Sequence, residues 1–480
     1  MKIDTKLLFK IGTIFLFVGA LFSAGYFHFD EHFQILEFAG LKLGLTQESN
    51  LPWEYHEQMR PALQPGIVYM VYSFFRLIGI ENPFLVATSL RLLTVGLSVL
   101  LFKYAQRHFI STGKSNHFIT VFTISYFFIW FLFYCQLRFS SENLAALFLF
   151  LSYLLIEKAF DNSTLKSWLL VGVVLGVSFQ FRYQIGFFII GLGVWMLIYK
   201  KMTIQNLLGM TTGFVGVFFI GFLIDSWFYE ESVFPFWNYF YQNIMLNKVS
   251  GFGEEPWWFY FKEIIEKSFA PIGILLMFII VWYAYFKRVK FEIWGFVFFI
   301  LLHIFIGHKE LRFLFPLNYF VPLLFAEFYI SNLVQIQNII NKVWIKIIAY
   351  VVIVINIGLL FFVMFSPSDS YIALYKEVYE ESREYKTTSI YYKDENLYDR
   401  VLEIYFYAPI NTRFIKYDSP EDIPLSSVDS LSIVLHVQKV ENENLDSLGV
   451  LVAKKYPDFV ESFNIGNWVY KTNYWKVFKK

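Results

Sequence analysis

Residues 8–40 read LFKIGTIFLFVGALFSAGYFHFDEHFQILEFAG, and this stretch decides the fold class. An apolar run from Leu8 to about Tyr26 follows Lys2, Lys6 and Lys10, then gives way at once to His28, Asp30 and Glu31. The run is close to the ~20 residues of a helix that crosses a bilayer. It is too long for the core of a signal peptide, and no small-x-small cleavage site closes it cleanly. We read it as an uncleaved first span whose far end carries two adjacent carboxylates.

The rest of the chain repeats the pattern. Of 480 residues, 57% are hydrophobic and 16% charged, against about 45–50% and 25% in soluble domains. Such a composition excludes a soluble enzyme, a disordered chain and a nucleic-acid binder. Lys+Arg at 40 against Asp+Glu at 39 leaves a net charge of +1, so no global field draws in a polyanion. The single cysteine, Cys135, excludes a disulfide framework and a paired-cysteine metal knuckle. Hydropathy predicts about eleven spans, at 8–27, 83–102, 117–135, 143–160, 168–182, 184–199, 206–228, 269–286, 291–307, 311–331 and 346–365. Gly66–Ile80 is short and follows Pro61 and Pro65, so it reads as a re-entrant or interfacial helix.

Charge orients the spans. With the N-terminus in the cytoplasm, alternate loops collect Lys103, Arg107, Lys114, Lys158, Lys166, Lys200, Lys201, Lys287, Arg288, Lys290, Lys342 and Lys346. The opposite connections hold fewer basic residues, such as Lys42, Arg60, Arg138, Arg182, Lys309 and Arg312. The bias agrees with an inner N-terminus. After Ser366 the chain turns charged and Tyr-rich. We therefore expect a membrane domain over 1–365, with outer loops at 28–65 and 229–267. A soluble α/β domain over 366–480 follows on the outer, non-cytoplasmic side. In it Leu431–Val437 reads as a strand and Leu448–Phe463 as a helix.

Charges inside or beside spans are costly and mark functional candidates. On this topology they share the outer face: Asp30, Glu31 and Glu37; Arg138, Glu142 and Asn143; Arg182 and Gln184; Asp225; and His308, Lys309, Glu310 and Arg312. Two carboxylates at the lipid–water boundary offer a general base for an acceptor hydroxyl. The basic cluster at 308–312 suits a phosphate, with Arg as a bidentate fork and Lys as a point charge. The aromatic loop Trp227–Tyr260 fits a sugar platform or an interfacial belt equally well. Other readings stay open: Asp30–Glu31 as a cap on the first span, His308–Arg312 as a turn snorkelling to headgroups, and Arg182 as an ion-pair partner of Asp225 or Glu142. The spacing of His28, Glu31 and His32 matches no known metal site, and no GxxxxGK[ST], GxSxG or HExxH pattern occurs. The residues themselves lead as far as an outer-face membrane enzyme acting on a lipid-linked phosphate.

At these same residues the chain resembles glycosyltransferase family 22, the lipid-linked-oligosaccharide and GPI-anchor mannosyltransferases. HFDEHFQILEFAG is similar to the family's His-Pro-Asp-Glu-x-x-Gln segment, and LPWEYHEQMRPALQP to its Thr-Trp-Glu-Tyr and Arg-Ser/Pro stretch. DSWFYEESVFPFWNYFYQNI resembles its Asp-Ser-x-x-Tyr-Gly loop, and GHKELRFLFPL its His-Lys-Glu-x-Arg-Phe-x-x-Pro. The blocks occur in the family's order over roughly residues 8–330. The resemblance implies an all-α polytopic GT-C fold and an inverting mannosyltransferase. The implied donor is a polyprenyl- or dolichyl-phosphate sugar, acting as co-substrate without a metal or other cofactor, and the acceptor a glycolipid or lipid-linked glycan. By the match, Asp30 is the catalytic base with Glu31 beside it. His308, Lys309, Glu310 and Arg312 lie near the donor phosphate, joined as candidates by Arg138, Arg182 and Asp225. The chain departs from the pattern at Phe29, where the family has Pro, and at Glu230 and Glu231, where it has Gly and Lys. Low proline and an Ile/Phe/Lys-rich composition point to a bacterial cytoplasmic membrane over the endoplasmic reticulum. The alternatives are a GT-C transferase for another lipid-phosphate sugar and a polytopic lipid or sugar transporter. A transporter would show internal repeats and midplane charges, and neither is evident.

Overall fold

The computed structural model describes residues 4–199, 202–440, 443–461 and 463–480. Lys2, Lys200 and Lys201 lie outside them. Six of the helices among these residues are long and apolar enough to cross a membrane: Thr5–Phe22, Pro83–Ser111, Ser141–Asp161, Ile204–Tyr229, Leu311–Ser331 and Val343–Phe365. Asn116–Phe128 and Trp130–Gln136 form one more if taken together, although they bend by 67°. The shorter apolar helices Leu165–Phe181, Ile185–Tyr199, Ala270–Phe286 and Phe291–Phe305 account for the remaining expected segments. Leu63–Leu77 is a 15-residue helix and is not among the candidate spans. It turns Met70, Phe74 and Leu77 outward, at 62%, 60% and 85% exposure, while Val68 and Tyr72 are buried. That one-sided stripe suits an interfacial helix.

The chain divides into two compact units. The first comprises residues 1–23, 57–66 and 88–366, and the second residues 24–56, 67–87 and 367–480. The second unit thus takes in most of the loop after the first span as well as the C-terminal segment.

In the first unit, small residues and hydrogen bonds set the helix packing. Helices Leu165–Phe181 and Ile204–Tyr229 approach closely: a Cβ at Gly172 would strike the carbonyl of Met210, and one at Gly213 the carbonyl of Leu169. Close backbone approach at small residues is a favoured way to pack helices in lipid. The bend after Phe128 comes from Ile129, whose extended φ/ψ of −79°/116° interrupts the helical ladder. Asn356 repairs it: the Trp130 amide donates to its Oδ1 at 3.2 Å, and its Nδ2 donates to the Phe128 carbonyl at 2.6 Å. Backbone groups freed in an apolar layer need such partners. Phe102 packs between Phe122 and Phe127, with ring centroids 5.7 and 4.7 Å away.

Basic residues of alternate loops converge within this unit. Lys114 and Lys287 both pair with Glu327, while His108 and Lys290 reach Glu157 at 3.0 and 3.7 Å. Loops that the charge bias assigned to one side therefore share two carboxylates.

The second unit holds a five-stranded sheet: β1 (Thr387–Tyr392), β2 (Thr412–Lys416), β3 (Ser430–Gln438), β4 (Val450–Lys454) and β5 (Tyr474–Lys479). The order is β2-β1-β3-β5-β4, with β1 parallel to β2 and β3, and β5 antiparallel to β3 and β4. Tyr391, Val434 and Phe478 pack on one face with Tyr417, Ile423 and Leu448. The expected helix over Leu448–Phe463 is corrected here. Gly449, at φ 111°, turns the chain into β4, and among the described residues of that stretch the one α-helical turn is Asp458–Glu461. Val450, Leu451, Ala453 and Lys454 pair with β5, with an irregularity at Val452, and Pro457 separates the strand from the turn.

Candidate functional site

The second unit carries the acidic pair. His28 starts the helix Phe29–His32 and accepts the Asp30 amide on Nδ1 at 3.2 Å. The same nitrogen lies 3.5 Å from Asp30 Oδ1, and the Asp30 side chain keeps 24% exposure, enough for a hydroxyl to reach it. Glu31 Oε2 accepts the Phe27 amide at 3.2 Å. Both carboxylates sit in the first helical turn, where the macrodipole favours negative charge.

The helix does not stop at His32. It runs through a π-helical turn, Phe33–Glu37, into Phe38–Leu43, and ends at Gly44 with φ 73°. In an α-helix, residues five apart lie roughly 140° apart around the axis, on different faces. The wider π turn brings His32 and Glu37 together, with His32 Nε2 2.7 Å from Glu37 Oε1. Glu37 is fully buried. Its carboxylate also accepts the Thr46 hydroxyl and the amides of Tyr405 and Phe406, the latter two at 2.9 and 3.0 Å. One turn earlier, Gln34 donates to buried Glu54 at 3.0 Å. This joins the HFDEHFQ and WEYH blocks.

The first unit carries the cationic candidates. Arg182 Nη1 reaches Glu142 Oε1 at 3.0 Å, and Arg312 Nη1 reaches the same oxygen at 3.3 Å. Arg312 also grips Glu310 as a fork, Nε to Oε2 at 2.6 Å and Nη2 to Oε1 at 3.0 Å. His308 Nε2 lies 3.1 Å from that oxygen and its Nδ1 3.2 Å from the Gly253 carbonyl. Two guanidiniums and two carboxylates thus lie together, with Glu142 buried and Glu310 partly exposed. Lys309 donates to the carbonyls of Glu255 and Gly307 at 2.7 and 3.1 Å. Burial pushes its ammonium below the usual lysine range, against the opposing pull of Glu254 and Glu255. Lys309 and Arg312 are 5% and 6% exposed, so they do not snorkel to headgroups. The reading of Arg182 as an ion-pair partner of Asp225 or Glu142 is met, with Glu142 as the partner.

Buried Arg138 donates from Nη1 to the carbonyl and hydroxyl of Ser23 at 3.2 and 3.3 Å. Asp225 accepts the Ala62 amide at 2.7 Å, which moors the segment 57–66 to the end of helix Ile204–Tyr229. More ties follow from this segment: Tyr229 donates to the Arg60 carbonyl at 2.9 Å, Gln58 to Glu231, and Gln242 and Lys248 to Glu57. Glu230 caps the helix in the left-handed region, φ 62°. That is the position where the resembling family has glycine, which adopts this conformation without strain.

The sequence offered Glu142 as a partner of Arg182, but its bond to Arg312 and the roles of Glu37 and Glu57 as anchors were missed. Glu57 is 37% exposed, whereas Glu37 and Glu142 are buried carboxylates beside apolar runs, so their cost of burial was a usable signal. Their partners lie tens to hundreds of residues away and were not. Among the described residues, no group of three His, Cys, Asp or Glu side chains is arranged to hold a metal ion.

Known proteins agree on the family. The chain is 27% identical over 312 residues to GPI mannosyltransferase 3 of Candida albicans, covering 65% of this chain and 61% of that protein. It is 30% identical over 135 residues to the probable Dol-P-Man:Man(7)GlcNAc(2)-PP-Dol alpha-1,6-mannosyltransferase of Schizosaccharomyces pombe, 28% of this chain and 24% of that one. GPI mannosyltransferase 3 of Yarrowia lipolytica is 24% identical over 341 residues, 65% of this chain and 59% of its own length. The chain therefore spans about three-fifths of these two longer-matching relatives. In fold it is similar to ArnT from Cupriavidus metallidurans bound to undecaprenyl phosphate, with a TM-score of 0.53 at 10% identity over 90% of this chain and 93% of ArnT. That likeness shows the polytopic GT-C fold. The Alg9-like mannosyltransferase family matches residues 7–412, and the chain belongs to it.

Proposed function

We propose that this membrane protein is an inverting mannosyltransferase. It moves mannose from a polyprenyl-phosphate donor to a hydroxyl of a glycolipid or lipid-linked glycan at the outer membrane face. The observation that carries the reading is the acidic pair, kept partly exposed at the start of a helix in the loop after the first span. The Asp30 carboxylate takes the acceptor's proton while the acceptor oxygen attacks the anomeric carbon. The bond from that carbon to the phosphate oxygen breaks, and polyprenyl phosphate leaves with the bonding pair. Phosphate departs readily, so the step runs without a metal or a second acid. Arg182, Lys309 and Arg312 supply the positive field for the donor phosphate, with Glu142, Glu310 and His308 holding the guanidiniums in place. Arg138 and Asp225 shape the surrounding scaffold. The convergence of the basic loops on Glu157 and Glu327 supports their lying on one side of the membrane.

The test is sugar transfer by the purified protein from dolichyl- and undecaprenyl-phosphate mannose, which also distinguishes the endoplasmic reticulum from a bacterial cytoplasmic membrane as its setting. Asp30→Asn keeps size and most hydrogen bonds but cannot take the proton, and should cost about 10²–10⁴-fold in rate with little change in donor binding. Glu31→Gln should cost less. Full activity in both variants would remove the pair from the chemistry. Absence of any glycosylated product would favour transport.

A further inference from the structure

The acidic pair belongs to a helix whose next turn is clamped to the C-terminal domain, and this clamp points to a role that the transfer chemistry does not itself require. Glu37 is fully buried and accepts from four groups: His32, Thr46 and the amides of Tyr405 and Phe406. His32 is the residue directly after Glu31. Its ring is also packed against Tyr407 at 5.4 Å, nearly parallel, and against Tyr26 at 5.3 Å. The chain before the pair is held to the same domain. The Ala24 carbonyl accepts the amides of Ser368 and Asp369 at 2.7 and 3.2 Å, and a Cβ at Gly25 would collide with Asp369. The residues carrying the pair are thus fixed to residues 368–407 on both sides, and π-helical geometry is what lets His32 reach Glu37. Such π turns often occur at functional sites.

We infer that Glu37 is a positioning residue: through His32 and the 405–406 backbone it sets the orientation of Asp30 and Glu31, with the C-terminal α/β domain as the template. This rests on the reading of Asp30 as the base. Displacement of a reacting group by about 1 Å can cost about 10²-fold in rate, so a loosened helix should lower turnover while the donor still binds.

The experiment uses the full-length protein and two readouts: steady-state kinetics with polyprenyl-phosphate mannose, and amide hydrogen exchange over residues 29–33 and 405–406. Glu37→Ala should lower kcat roughly 10- to 100-fold, leave the donor KM unchanged, and raise exchange in both segments together. Glu37→Gln should restore most of the turnover. Its amide oxygen can still accept from His32 and both backbone amides, and its NH2 can donate to the Thr46 hydroxyl. A role in stability alone would not give this split between kcat and KM or this rescue. If Glu37→Ala does not fold, Thr46→Val carries the test, since it removes one bond and should give a smaller loss of the same kind. The inference is overturned if exchange rises only at 405–406. It is equally overturned if kcat is unchanged in a Glu37 or Thr46 variant while Asp30→Asn is inactive. Should Asp30→Asn prove fully active, the base reading falls, and joint exchange alone decides whether Glu37 couples the two segments.

Discussion

Arg312→Ala removes the guanidinium that joins two carboxylates, and its consequences can be separated into two parts. In the native protein, Nε and Nη2 take both oxygens of Glu310 at 2.6 and 3.0 Å, and Nη1 reaches Glu142 at 3.3 Å. Arg312, Glu142 and Glu310 side chains are 7%, 4% and 24% exposed. Breaking a buried pair from one side costs about 3–5 kcal/mol, because the remaining charge stays buried. Glu142 retains Arg182 at 3.0 Å, and Glu310 retains a water-facing edge, so the loss should fall near ~3 kcal/mol. A contact to the donor phosphate is a separate quantity, roughly 1.5–3 kcal/mol, or about ten- to hundredfold in donor use. The double variant Glu310→Ala/Arg312→Ala distinguishes them. It removes the uncompensated carboxylate along with the arginine, so most of the stability should return while donor use stays low. Arg312→Lys, which keeps charge but loses the fork, should fall between. The assay is the thermal midpoint in detergent beside kcat/KM for polyprenyl-phosphate mannose. Recovery of donor kcat/KM in the double variant would refute the reasoning and leave Arg312 as a counterion of its neighbours.

Reporter fusions after Lys287 and after Lys480 should report opposite sides of the membrane, and a cytoplasmic Lys480 would mean the span count is wrong by an odd number. Asn356→Leu strips the partners from the Phe128 carbonyl and the Trp130 amide. It should destabilise the protein by about 1–2 kcal/mol, read as a lowered thermal midpoint in detergent; an unchanged midpoint would show that the break finds other partners. Glu230→Gly should relieve the left-handed strain by about 1 kcal/mol and raise the midpoint by about a degree, without loss of transfer. A lowered midpoint would mean that the Glu230 side chain contributes more than its backbone costs.

Much of this was legible in the sequence because a bilayer leaves few options. Eleven apolar segments stood out, and each appears as a helix, a bent helix pair or a 3₁₀–α run. The interfacial reading of Gly66–Ile80 came from its length and its prolines, and the outward Met70, Phe74 and Leu77 fit it. The bend at Ile129 was not legible: nothing in ISYFFIWFLFYC breaks the apolar run, and the Asn356 that stabilises the bend lies over 200 residues on. The strand at Val450–Lys454 was misread because a short apolar stretch fits both periods, and pairing with Tyr474–Lys479 decides it. Within the site, the motif blocks marked where charge is concentrated and offered Glu142 as a partner of Arg182, but not the remaining pairings. Glu142 taking both Arg182 and Arg312, and Glu37 taking Tyr405 and Phe406, are facts of tertiary structure.

Asn356 also has a consequence for how the last apolar helix finds its place. Val343–Phe365 buries little beyond Leu360, Val363 and Met364, so its greasy surface is nearly alike at every rotation and depth. Sliding it by one turn, about 5.4 Å, would exchange one Val or Ile for another at almost no cost in lipid. The same slide would leave the Phe128 carbonyl and the Trp130 amide without partners. A polar side chain in such a helix acts less as adhesive than as an index mark. It selects one register among many that hydrophobicity alone treats as equivalent.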